Sequence, residues 1–344
     1  MPRRGAALDE TSNPSLSPPP GEPPFGPPVP SAPQRHGGIF LGPHGLRAGW
    51  RVLIFLALSF ATLLFVSVFF RIIAPSFFKE HRSFSPEFVL TSEALSLLAL
   101  FLTMIAICRM EHRSIDSYGL PARRAFRSTF WVGVVVGFVS LTVLLLAIRG
   151  LQGFYFGPVA LSGRALLYYT VLWAVAFLMV GIWEEYSFRG YLQFILTRGM
   201  RFWPAAILTS VFFGALHGTN PGESPVGLAA VVAVGLFFCL TLRRTGDLWF
   251  AVGFHAAWDY AQTFLYGVPD SGQPAVGHLF NSRLEGPKWL TGGSVGPEGS
   301  LLAFVVLALA ALVVAWLYPE AKYPEPEGAA ASSHSNPNPV LNQD

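Results

Sequence analysis

Residues 166–194 read LLYYTVLWAVAFLMVGIWEEYSFRGYLQF. From Leu166 to Trp183 no charge interrupts the run, which is the length and character of a helix that crosses the hydrocarbon core of a bilayer. Glu184, Glu185 and Arg189 then follow inside the same apolar stretch. An ionisable group in that setting costs several kcal/mol, about 2.5–3.5 on mild insertion scales, so each one needs a partner, a water-filled cavity or a function. The segment therefore predicts both a membrane fold and a polar site within it.

Further apolar runs of comparable character extend outward in both directions. With the first they number about eight: Trp50 to Ile73, Phe88 to Cys108, Phe130 to Ile148, Leu166 to Phe194, Pro204 to His217, Val226 to Leu242, Leu248 to Tyr266 and Leu301 to Tyr318. The fifth is short and ends in polar residues. Composition agrees with this pattern. Of the 344 residues, 52% are hydrophobic and only 12% charged, against about 25% charged in soluble domains. The fold class expected is all-α, a polytopic transmembrane helix bundle with a polar intramembrane chamber. A net charge of +3, with no dense basic patch, excludes nucleic acid as a partner. Cys108 and Cys239 both fall in apolar runs and read as small packing residues.

The stretch over 1–48 is rich in Pro, Ser and Gly and reads as a disordered tail. It has no apolar core soon after Arg3 and Arg4, so it does not read as a cleavable signal peptide. Transmembrane helices are expected over 49–160, the helices with the polar residues over 161–268, and an extramembrane loop over 269–299 that has room for a re-entrant piece. A last transmembrane helix over 300–319 and a second disordered tail over 320–344 complete the chain. Arg109, Arg113, Arg123, Arg124 and Arg127 follow the second run, and Arg198, Arg201, Arg243 and Arg244 mark two further connections. Placed on one side, these basic connections put both termini in the cytoplasm.

The intramembrane ionisable residues are Glu93, Glu184, Glu185, Arg189, His217, His255 and Asp259. Counting about 1.5 Å of rise per residue, Glu184, His217 and His255 reach comparable depths. Glu185 and Arg189 stand four apart, in the order that favours an ion pair. Glu184 points about 100° away around the helix, which leaves it free to act as a general base on water. His255 and Asp259 are also four apart, and Phe213 stands one turn before His217. Gly190, Gly214 and Gly253 lie near these groups and would let helices approach closely. Glu93 is either a satisfied buried acid or part of the chamber.

Three elements then fall into a known order. Trp183-Glu184-Glu185-Tyr186-Ser187-Phe188-Arg189-Gly190 resembles the Glu-Glu-x-x-x-Arg element of the CAAX prenyl protease and bacteriocin-processing family, also called Abi. Phe213-Gly214-Ala215-Leu216-His217 resembles its Phe-x-x-x-His element, and His255-Ala256-Ala257-Trp258-Asp259 its His-x-x-x-Asn/Asp element. The resemblance covers roughly Ala165 to Tyr266. It implies an intramembrane endopeptidase in a bacterial plasma membrane that hydrolyses a peptide bond, with Glu184 and His217 activating water. Arg189 would hold Glu185, and His255 with Asp259 would face the developing oxyanion. Many members carry Asn at the last position, and an ionised carboxylate cannot donate as an amide does. Asp259 must therefore be protonated, orient His255 or coordinate a metal. A divalent ion such as zinc, with Glu184, His217, His255 and Asp259 as candidate ligands, and a metal-free Glu/His mechanism both suit these residues. The family is commonly labelled metalloprotease, although no His-Glu-x-x-His helix is present.

The partners implied are membrane lipid and a peptide or protein substrate, prenylated at its C-terminus in the family's namesake reaction. Two other classes compete. A secondary transporter would use the same Glu and His residues as a proton relay, but no internal repeat is evident. A non-catalytic scaffold or immunity protein would not require the full set of motif residues.

Overall fold

A computed structural model describes residues 41–42, 45–80, 84–274 and 276–323. The Pro-rich tail over 1–48 lies outside the described residues up to residue 40, as does the C-terminal tail from residue 324 onward.

The compact unit that begins at Leu46 is built on a helical framework. In chain order the main helices are α1 (Ala48–Ile73), α2 (Pro86–Glu111), α3 (Ser128–Gly150), α4 (Gly163–Glu185), α5 (Gln193–Met200), α6 (Phe202–His217), α7 (Pro225–Thr245), α8 (Trp249–Tyr260) and α9 (Leu301–Leu317). A wide π turn, Tyr186–Leu192, joins α4 to α5 without a break, and another, Ala261–Leu265, closes α8. Each of the eight apolar runs thus forms one helix or one continuous helical rod. Five helices are long and apolar enough to cross a membrane, namely Ala48–Ile73, Pro86–Glu111, Ser128–Gly150, Gly163–Met200 and Pro225–Thr245; Phe202–His217 and Leu301–Leu317 are apolar but shorter.

Local chemistry sets several of the boundaries. Ser85 caps α2 by accepting from Phe88 N at 3.3 Å, and Ser224 caps α7 by accepting from Gly227 N at 3.0 Å, each followed by Pro at the first helical position. Gly246 ends α7 in the left-handed conformation.

The surface is apolar and the interior partly polar, the reverse of a soluble domain. Phe60, Phe65, Ile72, Leu312 and Trp316 point outward, whereas Glu185, Arg189, Gln193, Thr209, Ser210, Asp259, Gln262 and Thr263 are buried. That distribution suits a lipid solvent, in which backbone polar groups pair within helices and polar side chains turn inward. With five apolar spanning helices, the chain is an integral membrane protein.

The packing places α8 at the centre. Its most extensive partner is α3, and it also contacts α4 and α7. Between α3 and α8 the backbones nearly touch. A Cβ on Gly133 would overlap the carbonyl oxygen of Phe250, one on Gly137 that of Phe254, and one on Gly253 that of Phe130. Small residues four apart allow this approach. Gly137→Ala is therefore expected to destabilise the protein by about 1–3 kcal/mol, the usual cost of overpacking. Gly150→Ala, whose Cβ would meet nothing within 4 Å, is the matched control. Thermal unfolding in detergent compares them, and equal midpoints would show that the α3–α8 contact is slack.

The segment between α8 and α9, whose composition predicts an extramembrane loop, lies outside the spanning helices but is tied to the wide turn after α8, to the α3–α4 connection and to itself. Leu279 N donates to Phe264 O at 2.6 Å, Ala160 N to Leu279 O at 2.7 Å, and Gly272 N to Val295 O at 2.9 Å. Two short strands, β1 (Phe154–Tyr155) and β2 (Arg283–Leu284), pair antiparallel with Phe154 opposite Leu284. The loop is thus folded back over one end of the bundle.

Candidate active site

Glu184, His217, His255 and Asp259 line one cavity of about 450 Å³, reached from α4, α6 and α8. Glu185 and Arg189 lie behind it, with side chains fully buried.

The helical register explains the division. At the end of α4, Glu184 faces the cavity and Glu185 turns toward α8. Arg189 sits in the π turn, and its Nη1 donates to Glu185 Oε1 at 3.1 Å. Its guanidinium lies 4.2 Å from the ring centre of Phe213 and 5.5 Å from that of Phe238. A cation over aromatic faces recovers part of what it loses on leaving water. Gly235 of α7 leaves space for it, because a Cβ there would come within 2.8 Å of Arg189 Nη2 and 2.9 Å of Ser210 Oγ.

Glu185, held by Arg189, in turn holds a histidine. His255 Nδ1 donates to Glu185 Oε1 at 3.0 Å. The opposite ring nitrogen, Nε2, lies 3.4 Å from Asp259 Oδ2 and 3.6 Å from Glu184 Oε2. Sequence spacing reads Glu184 as a carboxylate without a fixed cation. The structure sets the His255 imidazole beside it, brought there by α4–α8 packing that spacing does not encode. The His255 ring stacks on Phe238 at 5.4 Å with 21° between planes.

His217 ends α6. Its Nδ1 lies 2.9 Å from Phe213 O, and because a carbonyl only accepts, Nδ1 carries the hydrogen. In the neutral ring Nε2 is then left as an acceptor. The His217 ring also packs on Phe213 at 4.4 Å. Phe213 therefore touches both Arg189 and His217, and Phe238 both Arg189 and His255.

A zinc site needs three or four convergent donors at about 2.0–2.3 Å. His255 instead directs both nitrogens at carboxylates, and among the described residues no three His, Cys, Asp or Glu side chains form such a group. The donors as arranged do not fit a divalent ion.

Sequence reading missed part of the cavity wall. Asp270, Ser271, Gln273 and Glu298 come from the folded-back loop and line the same space, as does Asn220 after α6. Gln262, one turn beyond Asp259, organises them. It accepts from Trp258 Nε1 at 3.0 Å and donates to Glu298 Oε2 at 3.1 Å and Pro269 O at 2.7 Å. Asp270 Oδ2 accepts from Thr263 Oγ1 at 2.8 Å. A polar Gln262 and Thr263 continuing the His255–Asp259 helix was the available signal.

Burial pushes the Glu298 carboxyl up to about 8, with the charge of Asp270 adding to the effect, and burial likewise raises Asp270. A carboxyl raised in this way holds its proton more tightly in the folded state than in the unfolded one. The contribution of the pair to stability is thus fully present below the ordinary carboxylate range and declines as pH climbs from there to about 8. The unfolding midpoint in detergent should fall between about pH 5 and about pH 8, and Glu298→Gln should flatten that slope. An identical slope in both proteins would show that the loop acids do not carry it.

A family model described as Rce1-like, type II CAAX prenyl endopeptidase Rce1-like, matches residues 165–261. No curated protein matches the chain. The matched segment runs from the start of α4 to the first residue of the wide turn after α8, and so takes in the helices that position the cavity's Glu and His residues. It leaves out α1 to α3, the folded-back loop and α9. Over this segment the chain is similar to the Rce1-like family, which supports an intramembrane protease of the CAAX-protease type.

Proposed function

We propose that the chain is an intramembrane endopeptidase in which Glu184 and His217 activate a water molecule. The observation that carries this reading is the convergence of Glu184, His217, His255 and Asp259 on one cavity inside a bundle of spanning helices. The matched family supports protease activity on a peptide or protein in contact with lipid.

In this reading the Glu184 carboxylate, with His217 Nε2 accepting beside it, takes a proton from water as the water oxygen adds to the scissile carbonyl carbon. The carbonyl oxygen becomes an oxyanion, and His255, aligned by Glu185 and Asp259, faces it. Collapse of the tetrahedral adduct breaks the C–N bond, and the proton held on Glu184 goes to the leaving nitrogen. Arg189 acts only through Glu185 and is a positioning residue. Phe84, Phe88, Val89, Phe177 and Val180 make one cavity wall apolar, which suits the hydrophobic, prenylated end of a substrate of the kind the family's description names. The basic connections after α2 and α7 support a topology with both termini on the cytoplasmic side.

The test is hydrolysis of membrane-anchored and prenylated reporter peptides by the purified protein in liposomes containing ¹⁸O-labelled water. One labelled oxygen in the new carboxylate of the product is the expected result. A labelled product that forms equally when Glu184 and His217 are both replaced by Ala would sink the proposal.

A further inference from the structure

Glu93 is an acid within α2, outside the matched segment, and it has no place in the hydrolytic chemistry. It lines the same cavity as Glu184, His217 and His255. Depth agrees with that placement. Glu93 stands about 24 Å along α2 from Arg109, and Glu184 about 21 Å along its rod from Arg198, so both reach a similar level from the basic end. Neighbouring residues Phe84, Phe88 and Val89, with Phe177 and Val180 across from them, give the wall around it an apolar character.

The carboxylates of the cavity differ in how they are satisfied. Glu184 Oε2, like Glu93 Oε2, makes no hydrogen bond among the described residues, but Glu184 and Asp259 have the His255 imidazole within 3.6 Å, which Glu93 does not share. Asp270 accepts from Thr263, and Glu298 from Gln262 and Ser271. Glu93 Oε2 is buried and has no hydrogen-bond partner among the described residues. Among those residues, no Lys or Arg lines the cavity. A buried carboxylate left in this condition is costly, and a cation brought by a ligand would offset the cost through a charge-assisted hydrogen bond. The same ligand must also cover the apolar wall beside it.

We propose that Glu93 is a specificity-determining residue, which selects substrates carrying a positively charged side chain next to an apolar stretch. This rests on reading the cavity as the substrate site, but its test needs no hydrolysis. The probes are N-octanoyl-lysine amide, N-octanoyl-glutamine amide and N-octanoyl-glutamate amide. Equilibrium dialysis measures their binding to the full chain in zwitterionic nanodiscs, with empty nanodiscs subtracted. The lysine probe should bind about ten-fold more tightly than the glutamine probe, and the glutamate probe most weakly. Glu93→Gln, nearly isosteric, should bring the lysine and glutamine probes within about two-fold while leaving glutamine-probe affinity unchanged, and Glu93→Asp should restore part of the preference. A lysine preference that survives Glu93→Gln, or no binding above empty nanodiscs, overturns the assignment. A protein that binds as expected but cleaves nothing would refute the protease reading and leave this one standing.

Discussion

Glu184→Gln should yield a folded protein whose kcat/KM on any cleavable reporter is lower by about a thousand-fold. The amide fills the space of the carboxylate, so the cavity keeps its shape, but it cannot take a proton from water. General-base groups supply about 10²–10⁴ of rate enhancement. His217→Gln should lose a similar factor, because Nε2 is the one acceptor that its bond to Phe213 O leaves over. If the two act on the same water, the double variant should be scarcely slower than either single one. Matched unfolding midpoints establish that the comparison concerns chemistry. A Glu184→Gln rate within ten-fold of the parent would remove Glu184 from the reaction.

Arg189→Met should produce the largest loss of stability. Arg189 and Glu185 are both fully buried, and their bond of 3.1 Å lies in a low-dielectric interior. Removing one partner of a buried pair costs about 3–5 kcal/mol, since the other charge stays desolvated. Here Glu185 would keep only His255 Nδ1. Replacing both, as Glu185→Leu with Arg189→Met, should recover much of that stability while leaving hydrolysis impaired, because His255 then loses its anchor. Denaturant unfolding in detergent measures all three variants. A single-variant cost below about 1 kcal/mol would mean that the pair is not ionised as drawn.

How far the site was legible depended on the range of the interaction. Hydropathy places the helices, because each of the eight apolar runs is a local property of its own residues. The two i,i+4 pairs were legible for the same reason: Glu185–Arg189 and His255–Asp259 both meet across a single turn. The approach of His255 to Glu184 and Glu185 was not, since it depends on how α4 crosses α8. The widened turn at Tyr186–Leu192 leaves no trace in hydropathy, which does not register one looser hydrogen-bond ring. Asp270 and Glu298 were hidden because the segment carrying them is polar and rich in glycine. Such a segment reads as extramembrane, and only its backbone pairings with Phe264, Ala160 and other distant residues fold it inward.

The central position of α8 bears on how this protein is made. The helix is enclosed by α3, α4 and α7, with every residue from Trp249 to Asp259 except His255 buried. It is not among the helices long and apolar enough to cross a membrane by themselves. A nascent chain can release α1, α2, α3, the α4–α5 rod and α7 into lipid on their own hydropathy as each is synthesised. The segment bearing His255 and Asp259 has no such independent claim on the bilayer. Its entry depends on the glycine-lined face of α3, which is already in place and awaiting it. The helix that carries His255 and Asp259 thus has little hold on the bilayer of its own, and the candidate site is complete only once that helix is packed against α3 and α4.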